Sequence, residues 1–271
     1  MVLSPSSINL YKQCPRKYYY RYILKLPTAD SIHLIRGSVV HTVLETVYDV
    51  PTQGIGYEDA MQYLGSWMLK KLKSEWELHK KRLEQLGLSH DQLLFYFEES
   101  RVMLRHWLID YIRKCQQTGL SFSEASALLL PEREKKLVVQ QHNIMGIIDV
   151  IEKEEGKIKR VVDYKTSAKD KMSAEYELQL AIYALLITET FGYPPQEVVI
   201  HFLKFGERSL QVNAELLELA KRECALITQA TQSTDIADYP KKPGPLCKWS
   251  NAKGSGQCDY YDRCFGQQQL Q

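Results

Sequence analysis

The sequence predicts an α/β fold, a central mixed sheet of a few strands flanked by helices. Three observations carry that prediction. Short apolar runs, "KLVVQQH", "IMGIIDVIEK" and "KIKRVVDYKTS", follow one another, separated by turn signals near Asn143 and at "EEG". A longer segment, "AEYELQLAIYALLITETFG", then has helical apolar spacing and stops at Gly192 and a Pro-Pro pair. Another strand, "EVVIHFLKF", and a short "SLQV" precede a last helix, "AELLELAKRECALITQA". Helices around a few strands in 271 residues fit one domain spanning 1–271.

Ahead of the strands the pattern is helical. Ser6 or Ser7 is placed to cap a helix through "INLYKQCPRKYYYRYIL", which Pro15 should disturb. Over 37–48, Val40, Val43, Leu44 and Val47 recur at helical spacing. Two longer stretches, near 57–86 and 91–118, are rich in Lys, Glu, Leu and Trp and read as a helical insertion of about 57–118. Pro131 marks a change of period, so the sheet-bearing core is expected over about 131–212. From Asp238 the chain is rich in Pro, Gly, Lys and Cys and shows no period.

Composition narrows the function classes. Hydrophobic residues make up 44%, enough for a sizeable core and too many for global disorder. The net charge of +2 offers no bulk attraction to nucleic acid, so any such binding must rest on local patches. No stretch approaches a membrane span, and the start, "MVLSPSSINLYKQCP", lacks the pattern of a signal peptide. The expectation is a cytoplasmic protein with no membrane partner. Six cysteines without a secretory signal point to thiols or metal ligands more than to disulfides.

The sharpest local signal is "KRVVDYKTSAK". Side chains alternate along a strand, so Asp163 and Lys165 share one face and Tyr164 takes the other. Upstream, "GIIDV" places Asp149 inside an apolar strand. A hairpin closed by "EEG" brings Asp149 within a step or two of Asp163. Two carboxylates in an apolar setting repel and lose hydration, which is costly unless a cation joins them. Mg²⁺ or Mn²⁺ suits oxygen ligands, and a lysine beside it can orient a water or offset developing charge. A buried Asp–Lys ion pair is the plainer reading of "DYK" alone.

The stretch "GIIDVIEKEEGKIKRVVDYKTS", with "QLAIY" after it and "RGSVVHTVLE" before it, resembles the PD-(D/E)XK nuclease superfamily, especially its RecB-like branch. The resemblance implies a restriction-endonuclease-like core. It implies that His41, Asp149, Asp163 and the backbone carbonyl of Tyr164 hold the metal, with Lys165 positioning the attacking water. Gln179 and Tyr183 match the family's Q-x-x-x-Y motif, which contacts the DNA strand. Glu45, one turn after His41, is a candidate to support the ligands. Glu132 and Glu134, in "PEREKK", read as a solvated charged run before the first strand.

Four cysteines fall in loop-like settings: Cys14, Cys247, Cys258 and Cys264. Cys115 and Cys224 fall within helical patterns and read as buried small apolar residues. The order of one cysteine near the start and three near the end is similar to the iron–sulfur nuclease domains of this superfamily. Those include helicase-associated nucleases, CRISPR adaptation nucleases and exonuclease V. That likeness implies a 4Fe–4S cluster stapling the two ends of the chain. This sequence departs from the pattern in carrying "KWSNAKGSGQ" between the second and third cysteines. A Cys₄ zinc site and free thiols are the rival readings.

"CPRKYYYRYILK" interleaves Arg16, Lys17 and Arg21 with four tyrosines. Cations there can hold phosphates and rings can stack on unpaired bases, while a tyrosine-rich helix with half its rings in the core is the plain alternative. The sequence thus points to a metal-dependent DNA nuclease, most of all an exonuclease on single-stranded ends in repair, recombination or CRISPR adaptation. A catalytically silent DNA-binding subunit and an RNA-processing nuclease are the alternatives.

Overall fold

A computed structural model of the chain describes residues 2–249 and 258–266. The strands in chain order are β1 (Glu132–Val139), β2 (Ile144–Glu154), β3 (Lys157–Lys165), β4 (Glu197–Phe202) and β5 (Gly206–Gln211). They form one sheet in the order β1-β2-β3-β4-β5. Only β3 and β4 run parallel; the other neighbours are antiparallel. β3 lies at the centre because Ile158, Val161, Val162 and Tyr164 bury both its faces. The turn from β2 to β3 is Glu155-Gly156, both at positive φ (49° and 77°). That is the two-residue geometry whose twist matches a hairpin.

The helices in chain order are α1 (Pro5–Gln13), α2 (Pro15–Tyr18), α3 (Ile32–Thr46), α4 (Tyr57–Leu78), α5 (Lys80–Glu84), α6 (His90–Gln117), α7 (Phe122–Leu128), α8 (Ala174–Phe191), α9 (Ala214–Ala230), α10 (Pro245–Trp249) and α11 (Tyr261–Phe265). α8 makes the crossover between the parallel strands. Ser173 caps it, Glu175 and Glu177 face its positive end, and Gly192 at φ 81° ends it. Nine of its residues are buried, so it sits in the middle of a layer.

Two apolar cores lie on the two faces of the sheet. One joins α1, α8 and α9 to Ile144, Ile148, Ile151, Val161 and Ile200. The other joins α3, α4, α6 and α7 to Val150, Val162, Tyr164 and Val199. The helices read from sequence as an insertion therefore supply much of the second layer that the sheet needs. Trp107 of α6 donates its indole N–H to the buried Tyr164 hydroxyl at 2.9 Å, tying that layer to β3.

Several boundaries differ from the sequence reading. Ser4, two residues earlier than expected, caps α1 through a reciprocal pair with Ser7. Pro15 breaks the first helix and holds Cys14 extended (φ −161°, ψ 110°). β1 begins at Glu132, so "PEREKK" is strand and not a run before it, while "QQH" forms a 3-10 turn. α7 was not expected; its signal is the capping box of Ser121 and Glu124. No helix among the described residues is long and apolar enough to cross a membrane.

Gly146 marks the closest approach of β2 to α8. A Cβ there would lie 2.7 Å from Leu186 Cδ1 and 3.1 Å from the Tyr183 ring. Gly146→Ala is expected to cost about 1–3 kcal/mol through overpacking, read as a lower urea midpoint. An unchanged midpoint would show that α8 can move away freely.

Candidate metal centre

The site forms where β2 and β3 diverge. The register Val150↔Val162 puts Asp149 opposite Asp163. Asp149 Oδ2 accepts the Tyr164 backbone N–H at 2.7 Å and lies 3.4 Å from His41 Nδ1. The other His41 nitrogen, Nε2, lies 3.1 Å from the Tyr164 carbonyl oxygen. Ile148 faces one core and Val150 the other, so the normal alternation breaks at Asp149.

Glu134 completes the cluster. Arg133 pairs with Val150 and Lys135 with Ile148, which sets Glu134 across from Asp149. His41, Glu134 and Asp149 each offer a ligand atom within 4.8 Å of the others, the one such group among the described residues. Glu134 holds a left-handed φ of 45°, an uncommon and strained conformation for a side chain of this kind in a strand. The sequence reading dismissed this residue because it started the strand too late. Glu45 is exposed and has its backbone carbonyl held by Arg133, and its carboxylate adds to the charge around Glu134.

Asp163 is 3% exposed. Burial pushes its carboxyl pKa up, the neighbouring Asp149 charge adds to this, and Lys165 only partly offsets them. Lys165 Nζ lies 2.7 Å from Asp163 Oδ2. Burial opposes the charge on Lys165, but Asp163 outweighs it and the lysine pKa rises. His41 behaves alike: burial works against its charge, and Asp149 and Asp163 more than reverse that. Glu134 is raised by burial and then by Asp149. The field at the site thus favours cations on every group able to carry one. Carboxylate oxygens, an imidazole and a carbonyl form a donor set suited to Mg²⁺ or Mn²⁺.

Gln179 and Tyr183 sit one turn apart on α8 and act on the same carboxylate. Gln179 Nε2 donates to Asp163 Oδ1 at 2.7 Å and to the Tyr183 hydroxyl at 3.0 Å. Tyr183, 5% exposed, donates to the Ile147 carbonyl at 3.0 Å. Both side chains aim Asp163 and hold β2, and Gln179 stays half-buried at the edge of the site. Tyr176, which the sequence reading did not single out, places its ring 5.4 Å from Lys165 Nζ. Its signal was its spacing, one turn before Gln179 on α8.

Cys14, Cys247, Cys258 and Cys264 line a single cavity of about 520 Å³, with Lys17 and the first turn of α8 in the same wall. The Cys258 backbone N–H donates to the Cys247 carbonyl at 2.7 Å. The segment 250–257 that separates these two lies outside the described residues. Cys115 and Cys224 are buried elsewhere, as expected.

The N-terminal basic residues are less available than the sequence suggested. Arg16 donates to the carbonyls of Tyr239 and Ile236 at 2.7 and 3.2 Å. Tyr18, Tyr19 and Tyr20 are buried core residues, so three of the four rings cannot stack on bases. Lys17 is half-buried, and Arg21 is exposed with its guanidinium 5.7 Å from the Tyr22 ring.

A cation bound at this cluster stabilises the fold by mass action, about 2.7 kcal/mol at a hundredfold excess over Kd. Mn²⁺ is expected to raise the melting temperature of the wild type, much less in Glu134→Gln, and not at all in Asp149→Asn. A shift that survives both substitutions would place the ion elsewhere.

No curated protein matches the chain. A family model for the PD-(D/E)XK nuclease superfamily matches residues 2–265. That superfamily implies a metal-dependent nuclease with a nucleic-acid substrate, and the mixed five-stranded sheet flanked by helices agrees with its restriction-endonuclease-like fold. With nearly its whole length matched and an acid–lysine cluster at the divergence of β2 and β3, the chain belongs to the PD-(D/E)XK nuclease superfamily.

Proposed function

We propose that the protein is a divalent-metal-dependent deoxyribonuclease acting on single-stranded DNA ends. The observation that carries this reading is the set of Asp149, Asp163, Lys165 and His41 meeting at the end of β3. In the proposed arrangement His41, Asp149, Asp163 and the Tyr164 carbonyl hold Mg²⁺ or Mn²⁺, with Glu134 as a further ligand. The metal, when bound, supplies Lewis-acid stabilisation of the phosphodiester. Lys165 positions the attacking water by hydrogen bonding, and its charge offsets the negative charge that develops on phosphate oxygens. Gln179 and Tyr183 fix the direction of Asp163. A silent binding subunit is disfavoured because a lost function would leave no reason to keep a buried Asp163 against its desolvation cost.

The four cysteines are proposed to hold a 4Fe–4S cluster, with a structural role of joining the N-terminal segment to the C-terminal one. The donor set fits: four thiols converge on one cavity of about 520 Å³. Zinc fits less well. Tetrahedral ligation at a Zn–S distance of ~2.3 Å brings sulfurs within about 4 Å of one another. Among the described residues no three of these thiols come within 4.8 Å of one another. A cluster has its own breadth and needs its ligands farther apart.

The nuclease reading is tested with end-labelled single-stranded and double-stranded DNA in Mg²⁺ or Mn²⁺. Wild type is expected to shorten the single strand from an end. Lys165→Ala and Asp149→Ala are expected to lose at least about a hundredfold in rate, the scale of one preorganised catalytic group. Cleavage of RNA alone would favour the RNA-processing alternative, and cleavage unaffected by both substitutions would remove the site assignment. Anaerobically purified protein is expected to show a visible absorption band from thiolate-to-iron charge transfer. Cys258→Ser should lose that band, and stoichiometric zinc with no band would reverse the cluster assignment.

A further inference from the structure

The seam between the helical layer and the sheet carries groups that the metal centre does not use. Arg36 of α3, 3% exposed, donates to the Thr166 carbonyl at 2.6 Å, one residue beyond Lys165. The same guanidinium pairs with Glu99 of α6, and Lys204 from the turn after β4 reaches that carboxylate too. Arg36 also lies 5.6 Å from the Tyr96 ring. α3, α6, the end of β3 and the β4–β5 turn are thus joined at one buried junction. Glu99 answers both cations, which leaves the junction with one net positive charge beside the end of β3.

Large apolar side chains stand outside this junction in water. Leu34 is 59% exposed, Phe95 58% and Phe205 47%. Each lies one to four residues from a member of the junction. The rings are linked: His33 stands edge-on to Tyr96 at 5.6 Å, and Tyr96 to Phe95 at 5.3 Å. Leu34 shares one stripe of α3 with Ser38, His41 and Glu45 at helical spacing. At 1.5 Å per residue, Leu34 lies about 10 Å along the helix from His41. That is roughly three nucleotides at duplex spacing and fewer in an extended strand.

We propose that Leu34 and Phe95 form a stacking platform for the unpaired bases flanking the phosphate held at the metal centre. This rests on the nuclease reading above and deepens it by naming the surface that would hold the bases of the single strand. The occupant follows from continuity: the patch runs on from the exposed face of α3 that presents His41. An apolar ring offers every base a stacking surface, whereas a duplex keeps its base faces covered. Lys169 and Lys171, exposed in the loop after β3 and without an ion pair among the described residues, are the cations proposed to meet the phosphates. The helices over 57–128 then have a substrate role besides covering the sheet.

The test is fluorescence anisotropy on the full chain in a Lys165→Ala background, which prevents turnover. The probes are labelled single strands of eight and of two deoxynucleotides and a blunt duplex. Phe95→Ala combined with Leu34→Ala is expected to weaken the eight-nucleotide strand about five- to a hundredfold and to leave the duplex unaffected. A 2-aminopurine placed two or three nucleotides from the end should be quenched by the parent protein and not by the double variant. Equal affinity for the eight-nucleotide strand, or equal loss for strand and duplex, overturns the platform. Loss of self-association on sedimentation, with strand binding intact, would assign the patch to a second copy of the chain and overturn it too. Hydrolysis by wild type, measured in parallel, judges the nuclease reading separately: if it fails, that reading falls, while anisotropy still reports on the platform.

Discussion

Burial of one carboxylate governs the organisation of this protein. Asp163 sits at 3% exposure at the end of the central strand. An isolated charge there would be too costly to keep, so the surroundings exist to support it. Lys165 pairs with one oxygen and Gln179 donates to the other. α8 must run close to β2 and β3 for Gln179 to reach, which accounts for the missing side chain at Gly146. α3 must approach from the opposite face so that His41 can meet Asp149 and the Tyr164 carbonyl. The two helical layers therefore converge on the site from opposite sides of the sheet, each supported by its own apolar core.

The balance of charge at the site suits a cation. Asp149, Asp163 and Glu134 bring three carboxylates together, and one lysine and one histidine answer them. Burial raises the pKa of Asp163 and Glu134, so each holds protons more readily than an exposed acid. A divalent ion bound there would take the place of those protons and relieve the repulsion directly. The left-handed backbone at Glu134 fits this picture, since strain is tolerated where a side chain must be aimed.

The cysteine cavity and the metal centre flank the same first turn of α8. Glu175 and Leu178 face the cavity, while Tyr176 and Gln179 face Lys165 and Asp163. Helical geometry makes this inevitable, because residues one and two apart point to different sides. Anything that orders the cavity also steadies the start of the helix that aims Asp163.

Much of this was legible in the linear chain. The alternation in "VVDYK", the hairpin at "EEG" and the Gln179–Tyr183 spacing are local patterns, and periods of two and of about 3.6 residues specify which side chains share a face. The four cysteines picked out by their loop-like settings line one cavity. Other features depended on packing across long separations. Glu134 is a site residue only because β1 pairs with β2 in one register. Tyr18, Tyr19 and Tyr20 are core rather than a binding surface because Tyr239 and Tyr260 pack against them from the other end of the chain. The helices over 57–128 are a layer of the fold because the second face of the sheet had to be covered. Sequence determined most of the strands and helices and the pairing of acid with lysine at the end of β3, since these follow from neighbouring residues. Tertiary structure alone decided which charged and aromatic residues remain free to act, since that depends on what distant segments bury.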